Sequence, residues 1–164
     1  MARRNAKLHL AVDTATHAIV AAESSLENIG DKEVLPTLLN PLRRKIEQLS
    51  GDGAYDTRAC DALLKNKGIK ATIPPRKNAA LWEDGHPRND AVEALTADEL
   101  AEWERQSGYY QQSKAETSMY RYKQLISLKL SQRNHNALVG EILAGIKALN
   151  KVIGLRMPIW QPLN

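Results

Sequence analysis

The stretch from Ile46 to Pro75, "IEQLSGDGAYDTRACDALLKNKGIKATIPP", constrains the fold more than any other part of the chain. A short β-leaning run at Ile46–Ser50 leads into the turn "GDGAYD". Thr57 then stands as N-cap of a helix "RACDALLKNK" that Gly68 ends, and "IKATIPP" follows as a second strand. Strand, helix and strand in this order predict a βαβ unit and an α/β domain, whose functional groups collect at the carboxyl ends of strands. Asp52 occupies such an end, between two glycines.

The flanking elements agree with that class. "KLHLAVD" and "AIVAAES", joined by "TATH", predict a hairpin, with Asp13 as its turn residue. "DKEVLPTLLNPLRRKIEQ" has helical spacing at Val34, Leu35, Leu38, Leu39 and Leu42, with Gly30-Asp31 as start signal and Pro41 as a bend or interruption. From Arg76 to Gly108 the composition turns acidic, Trp-containing and punctuated by Pro and Gly, which reads as an insertion with one short helix near "TADELAEWERQ". Two helices, Ser113 to about Leu130 and His135 to Ile153, complete the chain. The second carries Leu138, Ile142, Leu149 and Ile153 as an apolar stripe.

Composition excludes several classes. At 164 residues and 43% hydrophobic the chain can bury one core. No apolar run reaches the roughly 18 residues of a membrane helix, and "MARRNAKLHLAVD" lacks the apolar heart of a secretory signal, so a cytoplasmic location and no membrane partner are expected. The single Cys60 reads as a small apolar residue, and His9, His17, His86 and His135 have no metal-ligand spacing. Net charge is +4, and its distribution fits either a polyanionic partner such as nucleic acid or a solvated face. Glu83–Glu104 holds eight acids and one base, whereas Arg105–Arg156 holds nine bases and two acids.

Two stretches carry candidate chemistry. The glycines beside Asp52 allow close approach of backbone or phosphate, with Tyr55 facing the same opening, although "GDG" is also an ordinary turn. In "SGYYQQSKAETSMYRYKQLI", Glu116, Tyr120 and Lys123 share one helical face and offer a carboxylate for a divalent cation and an ammonium for phosphate. The alternative is a capping box, Ser113-Lys-Ala-Glu116, with Glu116 satisfying the helix start.

Together "GDGAYDTRA", "IPPRKNA" and the spacing Tyr109, position 112, Glu116, Lys123 resemble the DDE transposases of bacterial insertion sequences, in the IS-four/IS-five superfamily, with signature Tyr-x2-Arg-x3-Glu-x6-Lys. The similarity extends from "KLHLAVDTATHAIVAAE" to "NKVIGLRMP". It implies an RNase H-like catalytic domain over residues 1–164, with 76–108 as an insertion, in which two aspartates and a glutamate hold two Mg²⁺ ions for phosphodiester cleavage and strand transfer. Asp52 and Glu116 match the second aspartate and the glutamate; Tyr109, Gln112 and Lys123 match positions that contact DNA near the transposon end.

Two departures follow. The family's first aspartate lies on a strand upstream of "KLHLAVD", so the resemblance predicts a domain truncated at its first strand, with an incomplete two-metal site. Gln112 stands where the family has Arg, and a neutral amide lacks the charged bidentate grip on phosphate. The expected partners are insertion-sequence ends, target DNA and a second transposase subunit. A non-catalytic DNA-binding or inhibitory role is the alternative. For Trp82 and Trp103 the readings are core packing or stacking on an unpaired base.

Overall fold

The computed structural model describes residues 6–26, 28–126 and 135–155. Strands β1 (Ala6–Val12) and β2 (Ile19–Leu26) form the expected antiparallel hairpin, with a register shift between Ala11 and Val12. Asp13 makes its turn: Oδ1 accepts the backbone N–H groups of Ala15 and Thr16 at 2.9 and 3.3 Å, and Oδ2 accepts from Arg44 at 2.6 Å. Those bonds hold the Asp13 carboxyl below its ordinary range, the Ala15 amide contributing most.

Helix α1 (Asp31–Leu39) buries Val34, Leu35, Leu38 and Leu39 and stops one residue short of the Asn40-Pro41 step. Pro41 has no N–H to bond back to the preceding turn, so it ends the helix rather than bending it. Strand β3 (Gln48–Ser50), helix α2 (Arg58–Asn66) and strand β4 (Lys70–Thr72) then make the βαβ unit, with β3 and β4 parallel. Thr57 caps α2 as its sequence indicates, accepting from the Cys60 N–H at 3.2 Å, and Gly68 leaves the helix at φ 66°.

The segment between β4 and Gly108 contains two helices where one was expected, α3 (Asn89–Thr96) and α4 (Leu100–Ser107). After Gly108, at φ 80°, comes a 3-10 turn (Tyr109–Gln111) and then α5 (Gln112–Ile126). Helix α6 (His135–Gly154) closes the described chain. The expected continuation of α5 toward Leu130 lies outside the described residues.

The strands form two separate two-stranded sheets, β1-β2 and β3-β4. Each has its own apolar cluster. Ile19, Tyr122, Ile142, Ile146 and Leu149 pack the hairpin against α5 and α6. Leu35, Leu39, Cys60, Leu64 and Ile69 pack α1 against the βαβ unit. Cys60 is an inert core residue, 1% exposed. Among the described residues no helix is long and apolar enough to cross a membrane.

Candidate active-site face between β3 and α5

Asp52 follows β3 directly and is exposed. Its Oδ1 accepts the Ala54 N–H at 2.9 Å, capping a 3-10 turn (Gly53–Tyr55). The carboxylate thus uses one oxygen to fix its own loop while the residue stays exposed. Gly51 has a packing reason to be glycine: an added Cβ would stand 2.9 Å from the Tyr55 ring. The expectation that this glycine admits backbone or phosphate is corrected accordingly, because the space beside it belongs to Tyr55. Burial, followed by the charges of Asp31 and Asp52, raises the Tyr55 hydroxyl to about 12, so it stays protonated.

Arg76 was not singled out in the sequence, and it organises this loop. Its Nε and Nη2 donate to the carbonyls of Gly53 and Ala54 at 2.9 and 3.2 Å, and its backbone N–H donates to Asp56 Oδ2 at 3.2 Å. Asp56 in turn takes a bidentate grip from Arg88, at 2.5 and 2.8 Å, with side chains 5% and 11% exposed. The signal available was an arginine directly after the βαβ unit, in "PPRK", whose long side chain can reach back over the strand ends.

On the facing side, α5 starts at Gln112 and not at Ser113. Ser113 sits one residue inside, and its hydroxyl donates to the Tyr110 carbonyl at 2.7 Å. The capping-box alternative therefore falls: that hydroxyl is committed backward to the 3-10 turn. Glu116 is left exposed on α5. Tyr120 is 62% exposed and Lys123 is exposed, which leaves the expected Glu116, Tyr120 and Lys123 face open to solvent. Lys123 lies about 10 Å along the axis from Glu116, given 1.5 Å per residue.

Tyr109 connects the two sides. Its hydroxyl is raised above the ordinary phenol range, first by burial, then by the negative charges of Glu104, Asp52 and Glu116, while a hydrogen bond from Gln112 opposes the shift. Asp52 and Glu116 arrive from different elements and both act on this one hydroxyl. Asp52 and Gln112 line a shared cavity of about 670 Å³; Glu116 and Lys123 stand outside its lining. Among the described residues no three His, Cys, Asp or Glu side chains converge as a metal-binding group. Two of the histidines are engaged elsewhere: His9, 5% exposed, bonds Ser25, and His86 stands 3.3 Å from Asp61.

Trp82 is half-buried between charged groups, with the Arg88 and Arg58 guanidinium carbons 4.3 and 4.8 Å from its ring centre and His86 edge-on at 4.8 Å. These contacts engage its ring within the fold. Trp103 lines a second cavity, of about 440 Å³, together with Trp82 and Thr72.

A family model described as a transposase DDE domain matches residues 2–151. The chain belongs to this family. The match spans β1 to the last turn of α6 and includes Asp52, Tyr109, Gln112, Glu116 and Lys123. No solved structure matches the chain. As a DDE transposase domain it falls within DNA transposition, it acts on DNA, and its family works with divalent metal ions.

Proposed function

We propose that this transposase domain is of the insertion-sequence type, in the IS-four/IS-five group with an RNase H-like plan, and that it serves metal-dependent cleavage and strand transfer at transposon ends. Asp52 and Glu116 are its metal-holding carboxylates, and Tyr109, Gln112 and Lys123 its DNA contacts. The observation that supports this reading is that Asp52, directly after β3, and Gln112, at the start of α5, line one cavity, with Glu116 exposed about one turn further along α5.

The donor set suits a hard cation. Mg²⁺ takes one or two protein carboxylates and fills its remaining positions with water and phosphate oxygens. Asp52 and Glu116, both exposed and oxygen-bearing, are donors of the kind such an ion takes. A pair of ions about 3.5–4 Å apart needs a bridging carboxylate and others to fix each ion, more than these two residues supply. When bound, the metal supplies an activated water and offsets charge on the leaving oxygen. The chain's own part is positional. The Ala54 N–H and the Arg76 clamp set the Asp52 carboxylate, α5 carries Glu116, and Lys123 meets phosphate further along α5.

The count of two carboxylates also favours a second reading for the chain acting alone, as a non-catalytic DNA-binding or inhibitory subunit. Its basic excess from Arg105 to Arg156 would then act through counterion release. Titration with Mn²⁺, followed by electron paramagnetic resonance, separates metal binding from turnover. The chain is expected to bind Mn²⁺, and Asp52→Asn and Glu116→Gln should each weaken binding at least tenfold with unchanged circular dichroism. Nicking of a transposon-end duplex should be absent for the chain alone, and salt-sensitive duplex binding should survive both substitutions. Equal Mn²⁺ affinity in both variants would remove Asp52 and Glu116 from the metal site.

A further inference from the structure

One face of the β1-β2 hairpin gathers titratable and nucleophilic side chains that the proposed metal chemistry does not use. Lys7 is the cross-strand partner of Ser25, and His9 of Glu23. Cross-strand partners and alternate residues share a face of the sheet, so these four side chains stand together. Asp31, the first residue of α1, joins them. Its Oδ1 accepts from the Lys7 ammonium and lies 3.3 Å from His9 Nδ1. On the other side of the ring, Nε2 lies 2.8 Å from the Ser25 hydroxyl.

These contacts assign the protons. An ionised carboxylate only accepts, so the ring proton belongs on Nδ1 and Nε2 is left as an acceptor. The Ser25 hydroxyl has one proton and two acceptors in reach, His9 Nε2 at 2.8 Å and the Leu26 carbonyl at 3.2 Å. The shorter contact takes it. A hydroxyl aimed at a base, with that base held from behind by a third group, is the arrangement of an activated nucleophile. The charged groups acting on His9 are Asp31 from α1, Lys7 from β1 and Glu23 from β2, and burial outweighs them, so the ring is neutral at pH 7 and able to take a proton. Ser25 is half-buried between exposed Lys7 and exposed Leu26, within reach of a small molecule.

We propose that Ser25, His9 and Asp31 form a second site, one that transfers the acyl group of small carboxylic esters. Ser25 Oγ bonds to the ester carbonyl carbon while its proton passes to His9 Nε2. The negative charge that develops on the carbonyl oxygen is offset by the Lys7 ammonium. The bond to the ester's alkoxide then breaks, and His9 returns the proton to it, releasing the alcohol. Water attacks the acyl-serine with His9 again taking a proton, and the carboxylic acid departs as Ser25 recovers its own. Asp31 is a positioning residue that keeps the proton on Nδ1. None of this depends on the metal-binding role of Asp52 and Glu116.

The test incubates the folded chain with p-nitrophenyl acetate and, separately, with a fluorophosphonate, whose P–F bond breaks as phosphorus bonds to an activated serine. Nitrophenolate release and a phosphonyl adduct mapped to Ser25 are expected, both at least tenfold slower after Ser25→Ala or His9→Gln. In the unaltered chain the rate should fall about tenfold per pH unit below a midpoint under 6.5, where the base is protonated. Asp31→Asn should move that midpoint to lower pH, which a merely structural contact would not do. The pH profile needs no substitution, so a variant that misfolds does not spoil the test. No adduct at Ser25, equal labelling of the urea-unfolded chain, a rate independent of pH from 5 to 8, or an adduct without nitrophenolate release would each overturn the proposal.

Discussion

The two apolar clusters of this chain are assembled from opposite kinds of sequence. Leu35, Leu39, Cys60, Leu64 and Ile69 come from one continuous stretch, whereas Ile19 meets Tyr122, Ile142, Ile146 and Leu149 across most of the chain length. Closing long loops costs entropy before any contact rewards it, so the first cluster can form early and locally while the second depends on docking. The candidate site inherits this division. Asp52 is positioned by the local unit, through the Gly51–Tyr55 turn and Arg76, and Glu116 by the helix that packs on the hairpin. Their mutual placement is therefore a tertiary property, and the loop around either one does not determine it.

The largest expected effect sharpens the comparison on the local side. Asp56→Ala would leave the Arg88 guanidinium, 11% exposed, without its bidentate partner. Breaking such a pair costs about 3–5 kcal/mol, which urea denaturation would read, with hydrogen exchange accelerated first around α2 and α3. A loss below about 1 kcal/mol, the value for an exposed pair, would remove the pair from the forces holding the local unit.

An intermediate effect probes the distant side. The Asn150 side chain accepts from the Ile19 N–H at 2.9 Å and donates to the Ile19 carbonyl at 2.7 Å, tying α6 to β2. Asn150→Ala leaves both backbone groups of the buried Ile19 unpaired and should cost about 1–3 kcal/mol. Exchange should quicken in β1 and β2 while α2 keeps its protection. Equal acceleration in α2 would break the comparison, since the two clusters would then open as one cooperative unit.

The smallest effect is a pH dependence at the hairpin's junction with α1. His9 donates to or accepts from Ser25 at 2.8 Å and lies 3.3 Å from Asp31, with Lys7 and Glu23 also acting on it. Its ring is held below the ordinary value of 6.5, burial being the largest cause and Asp31 opposing it. A base depressed in the folded state is neutral in both states at high pH. Stability is therefore whole above about pH 6.5 and falls as pH drops below it, because the unfolded chain takes the proton first. A pH series of melting temperatures should show this loss, and His9→Gln should flatten it. An unchanged profile in His9→Gln would assign the dependence to another group.

Local chemistry decided what the sequence made legible. The hairpin, the Thr57 cap, the Gly68 stop and the α6 stripe each rest on residues within one or two turns of each other, and each is present. Asp52 at a strand end follows from the βαβ order alone. Helix α3 was missed because Asn89–Thr96 is short, half polar, with only Ala91 and Val92 buried, and sits in an acidic stretch with little periodicity. The role of Glu116 was undecidable locally, since Ser-x-x-Glu serves a cap or a site equally. The 3-10 turn ahead of α5, whose Tyr110 carbonyl takes the Ser113 hydroxyl, removes the cap reading. The Arg76 clamp and the relative placement of Asp52 and Glu116 depend on tertiary docking, for which no spacing rule exists.

Among the described residues each two-stranded sheet leaves strand edges unpaired, which bears on how the chain behaves in concentrated solution. Natural sheets blunt such edges with charge, proline or brevity. β3 is protected by brevity, being three residues long with polar Gln48 and Ser50. β1 spans seven residues and carries Leu8, Leu10 and Val12 beside a single lysine, Lys7. An edge of that length and composition can template pairing with any extended chain. Aggregation, when it occurs, should therefore begin at β1, and a second lysine placed along that strand would be the economical remedy for a chain that precipitates.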